Sequence, residues 1–437
     1  MLRTLSLALS FGAIMSLAVA MPSRARAIEI QEVTSPKGIT AWLVEDDTVP
    51  IVNMQFAFRG GSVQDPADKS GLANLASGLL DEGAGDLDSK AFQTRLDNLN
   101  IKLSFDTGRD AFYGSMKTLT ANADEAFNLT KLALTEPRFD DEPVARIKAQ
   151  ILSKLRSDET DPNELARRAW AKTLFGDHPY ARTGDGTEES VEELTGADLK
   201  GFAERNLARD NLVVAVVGAI DAETLKGRLD EVFGDLPEKA DLKPIADVTA
   251  AAGKTAHVDL PVPQTSIRLG GPGIKRDDPD FIPAYIADHI LGGGTFSSRF
   301  YREIREERGL AYSVGTSLVP FDHAGVWVGA AATRADAAQE AVDLMVKEVK
   351  DMAENGPTDE ELADAKSYLT GNYALRFDSS GKIAKQLLAI QLDHLGIDYV
   401  DKRNELINAV TREDVQRAAK RVYGEPPSVI TVGPAAS

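Results

Sequence analysis

Cysteine is absent from the 437 residues, which rules out a disulfide framework and thiolate chemistry. Histidine is scarce: His178, His257, His289, His323 and His394 are the five. No two stand four apart and none begins a His-x-x-Glu-His, so the helical pair that sets two imidazoles on one face of a zinc site is missing. The phosphate loop is missing too. Ser380-Gly381-Lys382 has no upstream glycine, Gly270-Gly271-Pro272-Gly273 opens no Gly-Lys-Ser pattern, and no Gly-x-Ser-x-Gly elbow supplies a nucleophile. Basic charge is in deficit, 49 Lys and Arg against 68 Asp and Glu for a net −19. Such a chain repels phosphates and is not expected to bind nucleic acid.

Only one long apolar run is present, Leu5 to Ala20 behind Arg3. It is shorter than the roughly 20 residues a membrane span needs. Pro22, Arg24 and Arg26 break it, and two small-x-small sites follow, Ala18-Val19-Ala20 and Ala25-Arg26-Ala27. Residues 1–27 therefore read as a secretory signal peptide, and the expected location is the periplasm, with no membrane attachment after cleavage. About 410 residues remain, enough for two domains with substantial cores.

The remainder alternates strands with helices. Ile39–Val44 pairs with Ile51–Phe58, and Ile101–Asp106 with Ala111–Leu119; Leu212–Val217 is a buried strand ended by Gly218. Ala123–Thr135, Glu142–Ser157, Asp161–Trp170 and Asp221–Phe233 carry helical spacing. The Ala-, Asp-, Lys- and Pro-rich stretch 237–254 reads as a linker, dividing 28–236 from 255–437. The pattern then begins again. Phe112-Tyr113-Gly114 and Asp124-Glu125 return as Trp327-Val328-Gly329 and Asp336-Ala337; Asp141-Glu142 with Lys148 returns as Asp359-Glu360 with Lys366. Gly71–Gly83 has its counterpart in Phe281–Gly294. The order of these matches predicts a duplication: two tandem α+β domains, each a mixed, mostly antiparallel sheet covered by helices.

One region carries candidate chemistry. Gly292, Gly293 and Gly294 end a helix and would leave backbone N–H groups free to hold an extended chain. Ser298–Arg308 is a charged helix closed by Gly309, and a strand follows from Leu310. At that corner Arg308 and Tyr312 could converge on one carbonyl oxygen and stabilise developing negative charge. On their own residues, Arg308 also fits a surface ion pair and Tyr312 a half-buried core position.

Leu291-Gly-Gly-Gly294, Ser298-Arg299 and Arg305-Glu306-Glu307-Arg308-Gly309-Leu310-Ala311-Tyr312 resemble the carboxy-terminal half of M16 (insulinase, pitrilysin-type) zinc peptidases. The likeness is to the two-domain bacterial and processing-peptidase-like branch, and it extends over nearly the whole chain after the signal, including His178-Pro179-Tyr180. In that family Gly-Leu-Ala-His-x-x-Glu-His stands where this chain has Gly71-Leu72-Ala73-Asn74-Leu75-Ala76-Ser77-Gly78. Asn74 and Gly78 take the places of the histidines and Ser77 that of the general base. Ser153 and Lys154 fall where the distal glutamate ligand belongs. The resemblance implies no zinc in this chain. It also implies a heterodimer with a zinc-bearing paralogue that hydrolyses unfolded peptides. Arg308 and Tyr312 would act on the substrate in trans, with Gly292–Gly294 as a substrate loop. The alternative is a peptide-binding or structural module without any role in proteolysis.

Overall fold

The computed structural model describes residues 28–435; the signal-peptide reading, residues 1–27, lies outside them. The first half contributes strands β1 (Gln31–Thr34), β2 (Thr40–Glu45), β3 (Ile51–Arg59), β4 (Lys102–Thr107), β5 (Ala111–Leu119) and β6 (Leu212–Gly218). Its helices are α1 (Leu72–Ser77), α2 (Ser89–Asn98), α3 (Ala123–Thr135), α4 (Asp141–Asp158), α5 (Pro162–Phe175), α6 (Glu188–Glu193), α7 (Gly196–Asn206) and α8 (Ala222–Phe233). The second half contributes β7 (Thr255–Asp259), β8 (Gln264–Pro272), β9 (Ala311–Phe321), β10 (Ala324–Arg334) and β11 (Ser428–Gly433). Its helices are α9 (Phe281–Asp288), α10 (Ala338–Asn355), α11 (Asp359–Gly371), α12 (Ser380–Leu392), α13 (Tyr399–Ala409) and α14 (Arg412–Tyr423). No helix among the described residues is long and apolar enough to cross a membrane.

The strand orders are β1-β2-β6-β3-β5-β4 and β7-β11-β8-β10-β9; β4 pairs with β5 as expected, but β6 lies between β2 and β3, so Ile39–Val44 and Ile51–Phe58 do not pair directly. Omitting β1, they are the same sheet built twice. The β2/β6 and β7/β11 pairs are parallel, and every other pair is antiparallel. The repeated glycine has a packing reason. A Cβ on Gly114 would meet the Phe56 ring at 2.0 Å, and one on Gly329 would meet Leu269 at 3.1 Å.

Local chemistry sets the helix starts. Asp161 accepts N–H groups of Asn163 and Glu164 with Pro162 at the first turn of α5, and Thr358 and Glu361 form a capping box on α11, which satisfies amides that no helix can bond internally.

Alternation along the strands sends residues to two faces. Leu43, Met54, Phe56, Phe112 and Val216 pack under the first half's own helices. Trp42, Val44, Ala215 and Val217 face the other way and are covered by Ile383, Leu387 and Leu388 of α12, a helix of the second half. Reciprocally, Trp170, Leu174 and Phe175 of α5 pack on Val326 and Ile430 of the second sheet. The halves thus exchange one helix each. Burying each such aliphatic side chain stabilises the fold by about 1.5–3 kcal/mol.

Residues 237–254 hold no helix or strand, but they are bonded along their length to both halves. Lys243 N–H donates to the Gln64 side chain at 2.8 Å, Val248 N–H to the His323 carbonyl at 2.9 Å and Ala251 N–H to the Leu174 carbonyl at 2.9 Å. Close by, the fully buried Tyr180 donates to Asp110 at 2.6 Å, and its hydroxyl accepts the His323 N–H at 3.0 Å. The β4–β5 turn of one half is thereby tied to the β9–β10 turn of the other.

Candidate functional site

The helix that stands in the metal position is short. α1 ends at Ser77, with Gly78 as its cap, and residues 79–82 form turns; the apolar run to Gly83 is not one helix. Its first amides are already taken: the Asp65 carboxylate accepts Gly71 N–H at 3.0 Å and Ala73 N–H at 3.1 Å. Burial pushes Asp65 up to about 7 against the pull of those amides and of Arg182.

Zinc does not fit these residues. Ser77 is buried and donates its hydroxyl to the Asn74 carbonyl at 2.8 Å. A Cβ on Gly78 would sit 3.1 Å from Ile147 of α4, so no side chain has room there without a shift. Two turns beyond Ile147 on the same face, Lys154 brings a cation where a ligand would be needed. It pairs with Asp158 at 2.8 Å and Asp185 at 3.4 Å, and Arg167 and Arg168 close the same network at 3.2 and 3.5 Å. Ser153 is exposed beside it. Asparagine is a weak neutral ligand, and an ammonium repels a dication. Among the described residues no three His, Cys, Asp or Glu side chains are grouped to hold a metal ion.

On the second half the structure revises the geometry read from sequence. Tyr312 opens β9 and is 84 % exposed, not half-buried. The guanidinium that reaches it belongs to Arg305, not Arg308. Arg305 lies 4.8 Å from the Tyr312 ring centre and 4.7 Å from that of Tyr301, and Phe296, 70 % exposed, meets Tyr301 edge-on at 5.0 Å. Arg308 turns back instead, donating to the Glu303 carbonyl at 2.7 Å and carboxylate at 3.0 Å. Burial raises the Glu303 pKa, but the bonds from Arg308 and Arg302 outweigh it and hold the carboxyl below its ordinary range.

The reason is the way the helix closes. Residues Tyr301–Glu306 are wound as a π-helix. Beyond it Gly309 N–H bonds the Arg305 carbonyl at 3.1 Å and Leu310 N–H bonds that of Ile304 at 2.9 Å, with Gly309 at φ +62°. This is a Schellman-type closure widened by one residue. It folds the start of β9 over residue 305 and leaves 308 on the outside of the corner. Tyr301 and Arg305, four apart, carried the signal: an aromatic and a cation one helical turn apart form a stack.

The glycine loop also differs from the expectation of free amides. Residues His289–Gly293 form a π-helix, and Gly294 N–H donates to the His289 carbonyl at 2.7 Å. Gly292 is buried against Thr316, whose N would lie 2.6 Å from an added Cβ, and a Cβ on Gly294 would lie 2.6 Å from the His289 carbonyl oxygen. The glycines are needed for close packing; Gly293 alone is exposed. His289 stacks on Tyr368 at 5.1 Å, and burial lowers its pKa.

Two duplicated α+β halves, one whose α1 offers no metal ligands and the other with an exposed tyrosine stacked on an arginine, define the class of fold. The chain belongs to the M16 peptidase family. Residues 41–188 match the family's insulinase (peptidase family M16) domain and residues 193–369 its peptidase M16 inactive domain. The chain is 30 % identical to the non-peptidase homolog YmxG of Helicobacter pylori over 82 % of its own length and 83 % of that protein. It is 26 % identical to an uncharacterized zinc protease of Streptomyces coelicolor over 93 % and 90 %. The crystal structure of a peptidase M16 inactive domain from Pseudomonas fluorescens superposes with a TM-score of 0.88 at 29 % identity, covering 94 % of this chain and 99 % of that one. A Helicobacter pylori protease structure shares the fold at a TM-score of 0.82 and 18 % identity over 93 % of this chain and all of that one.

Proposed function

We propose that this chain is the non-catalytic subunit of a heterodimeric periplasmic M16 zinc endopeptidase. The zinc and the general base belong to a paralogous partner, and this chain supplies half the chamber. The observation that carries the reading is the combination of two sites. The metal-site positions Asn74, Ser77, Gly78 and Lys154 are filled by groups unsuited to holding zinc, while Tyr312 remains exposed and stacked on the half-buried Arg305. A structural relic has no need of an exposed tyrosine held against a guanidinium. In this reading the Tyr312 hydroxyl and the Arg305 guanidinium donate to the carbonyl of an unfolded peptide, which adds as a strand beside Gly293 and β9.

The test is to mix the purified chain with its His-x-x-Glu-His paralogue and follow peptide cleavage. Tyr312→Phe or Arg305→Ala is expected to lower kcat/KM by roughly 100- to 1,000-fold, the usual loss for one oxyanion-type donor. Arg308→Ala, whose guanidinium is committed to Glu303, is expected to cost little. Equal cleavage by the paralogue alone, with no effect of Tyr312→Phe, defeats the subunit reading. The name of the Helicobacter pylori relative, a non-peptidase homolog, favours one second reading, a peptide-binding module without any role in proteolysis. Peptide binding with no cleavage in any pairing is its signature.

A further inference from the structure

A cavity of about 420 Å3 lies between α9, β9 and the segment from α11 to α13, with Gly293 at its edge. Its volume is in the range of small-ligand sites. Its apolar lining includes Phe281, Ile282, Tyr285 and Leu318; the charged groups are Arg276, Arg376 and Arg403 with Asp288 and Asp393.

The two acids do not neutralise the three cations. Asp393 is committed to Arg276 at 3.4 Å, and Arg276 also donates to the Tyr399 hydroxyl at 2.8 Å. Asp288 is 4 % exposed, and burial pushes it up to about 7, so much of it is uncharged near neutral pH. Among the described residues neither Arg376 nor Arg403 has an ion-pair partner, in a chain that carries 68 acidic side chains to 49 basic ones.

Arg403 is 6 % exposed. Its Nη1 donates to the Leu369 carbonyl at 3.1 Å and to the Asn404 side chain at 3.3 Å, and its guanidinium lies 4.2 Å over the Tyr373 ring. Its Nε and Nη2 make no hydrogen bond to a described residue and are not among the fully buried atoms, so they remain open to solvent. The Tyr373 hydroxyl, also buried, has no partner either, and burial raises it to about 12, so it remains a donor. A buried guanidinium without an anion is costly, and an unmade buried hydrogen bond adds to that cost.

We propose that this cavity is a binding site for a carboxylate carried on a bulky apolar group. Arg403, Arg376 at the rim and the Tyr373 hydroxyl take the carboxylate, and Phe281, Ile282, Tyr285 and Leu318 take the apolar body. Two sources carry this chemistry, a free small acid and the C-terminal residue of a peptide. The site needs no partner chain, so it stands or falls separately from the subunit reading.

The experiment is calorimetric titration of the full chain with four probes: N-acetyl-phenylalanine, its amide, and a decapeptide ending in phenylalanine with a free or an amidated C-terminus. At least one free acid is expected to bind, its amide at least about tenfold more weakly, as for a lost charge-assisted bond. Binding of the small acid identifies a free-acid site; binding of the free peptide alone identifies a C-terminus site. Arg376→Gln, at an exposed position without ion pairs and so without consequence for the fold, is expected to weaken the free acid about tenfold. Lys382→Gln, a cation paired to Asp378 outside the cavity, is expected to leave it unchanged. No binding by either acid, equal binding of acid and amide, or an equal effect of the two substitutions overturns the proposal.

Discussion

Asp288 illustrates how a single carboxyl reports its surroundings. It lies at the end of α9 against the Tyr423 hydroxyl, 3.3 Å away, and burial raises its pKa from 3.8 to about 7. Between about pH 4 and 7 the folded chain therefore keeps a proton that the unfolded chain releases. The stability this contributes is full below about pH 4 and is lost as the pH rises through 7. Asp288→Asn fixes the neutral form. It is expected to raise stability at pH 8 by on the order of 1–2 kcal/mol and to change it little near pH 4, as thermal melts at the two pH values would read; a stability gain equal at both would contradict this origin. Nothing local marked Asp288 or Asp65 as special, because their shifts come from burial by elements distant in sequence. Asn74, Ser77 and Gly78 were legible through the resemblance of Gly71–Gly78 to the family's metal helix, since the identity of a ligand is written in one side chain.

Among the elements, α1 and α4 decide whether a metal site could be restored. The sequence located both helices, α4 within one residue at each end, because their apolar spacing is local. It did not give the contact of Gly78 with Ile147 or the ion-pair network around Lys154. Those contacts make a prediction. Asn74→His, Ser77→Glu and Gly78→His together are expected to leave zinc binding weak, because Lys154 still opposes the charge. Adding Lys154→Glu supplies the distal carboxylate and is expected to tighten binding by at least about tenfold. Titration with zinc measures both, and tight stoichiometric binding by the triple variant alone would show that Lys154 is no obstacle. The corner at Gly309 shows the reverse case. The helix stop was legible as a glycine after a charged run, but the widened closure that selects Arg305 over Arg308 depends on π-winding, which the residue pattern did not signal.

The exchange of α5 and α12 binds the two halves into one cooperative body. Leu387 of α12 is fully buried on the first sheet although it belongs to the second half. Leu387→Ala is expected to cost about 2–5 kcal/mol and to lower one calorimetric transition for the entire chain. Two separated transitions, with only one shifted, would mean that the halves unfold independently despite the exchange. The same interlock, with the bonded 237–254 segment and the Tyr180–Asp110–His323 tie, leaves little freedom for hinging within the chain. In the proposed heterodimer, opening for substrate therefore falls to the contact between the two chains.

Composition and spacing were enough for the α+β class and the duplication, because both are written in residue identity and short-range periodicity, and the family resemblance marked the positions where zinc ligands are missing. Which arginine faces Tyr312, whether the glycine loop offers free amides, which helix covers which sheet and where unpaired arginines meet a cavity were decided by the tertiary structure. Each of these depends on contacts between residues far apart in the chain, and on the closure of a helix whose winding departs from the regular repeat.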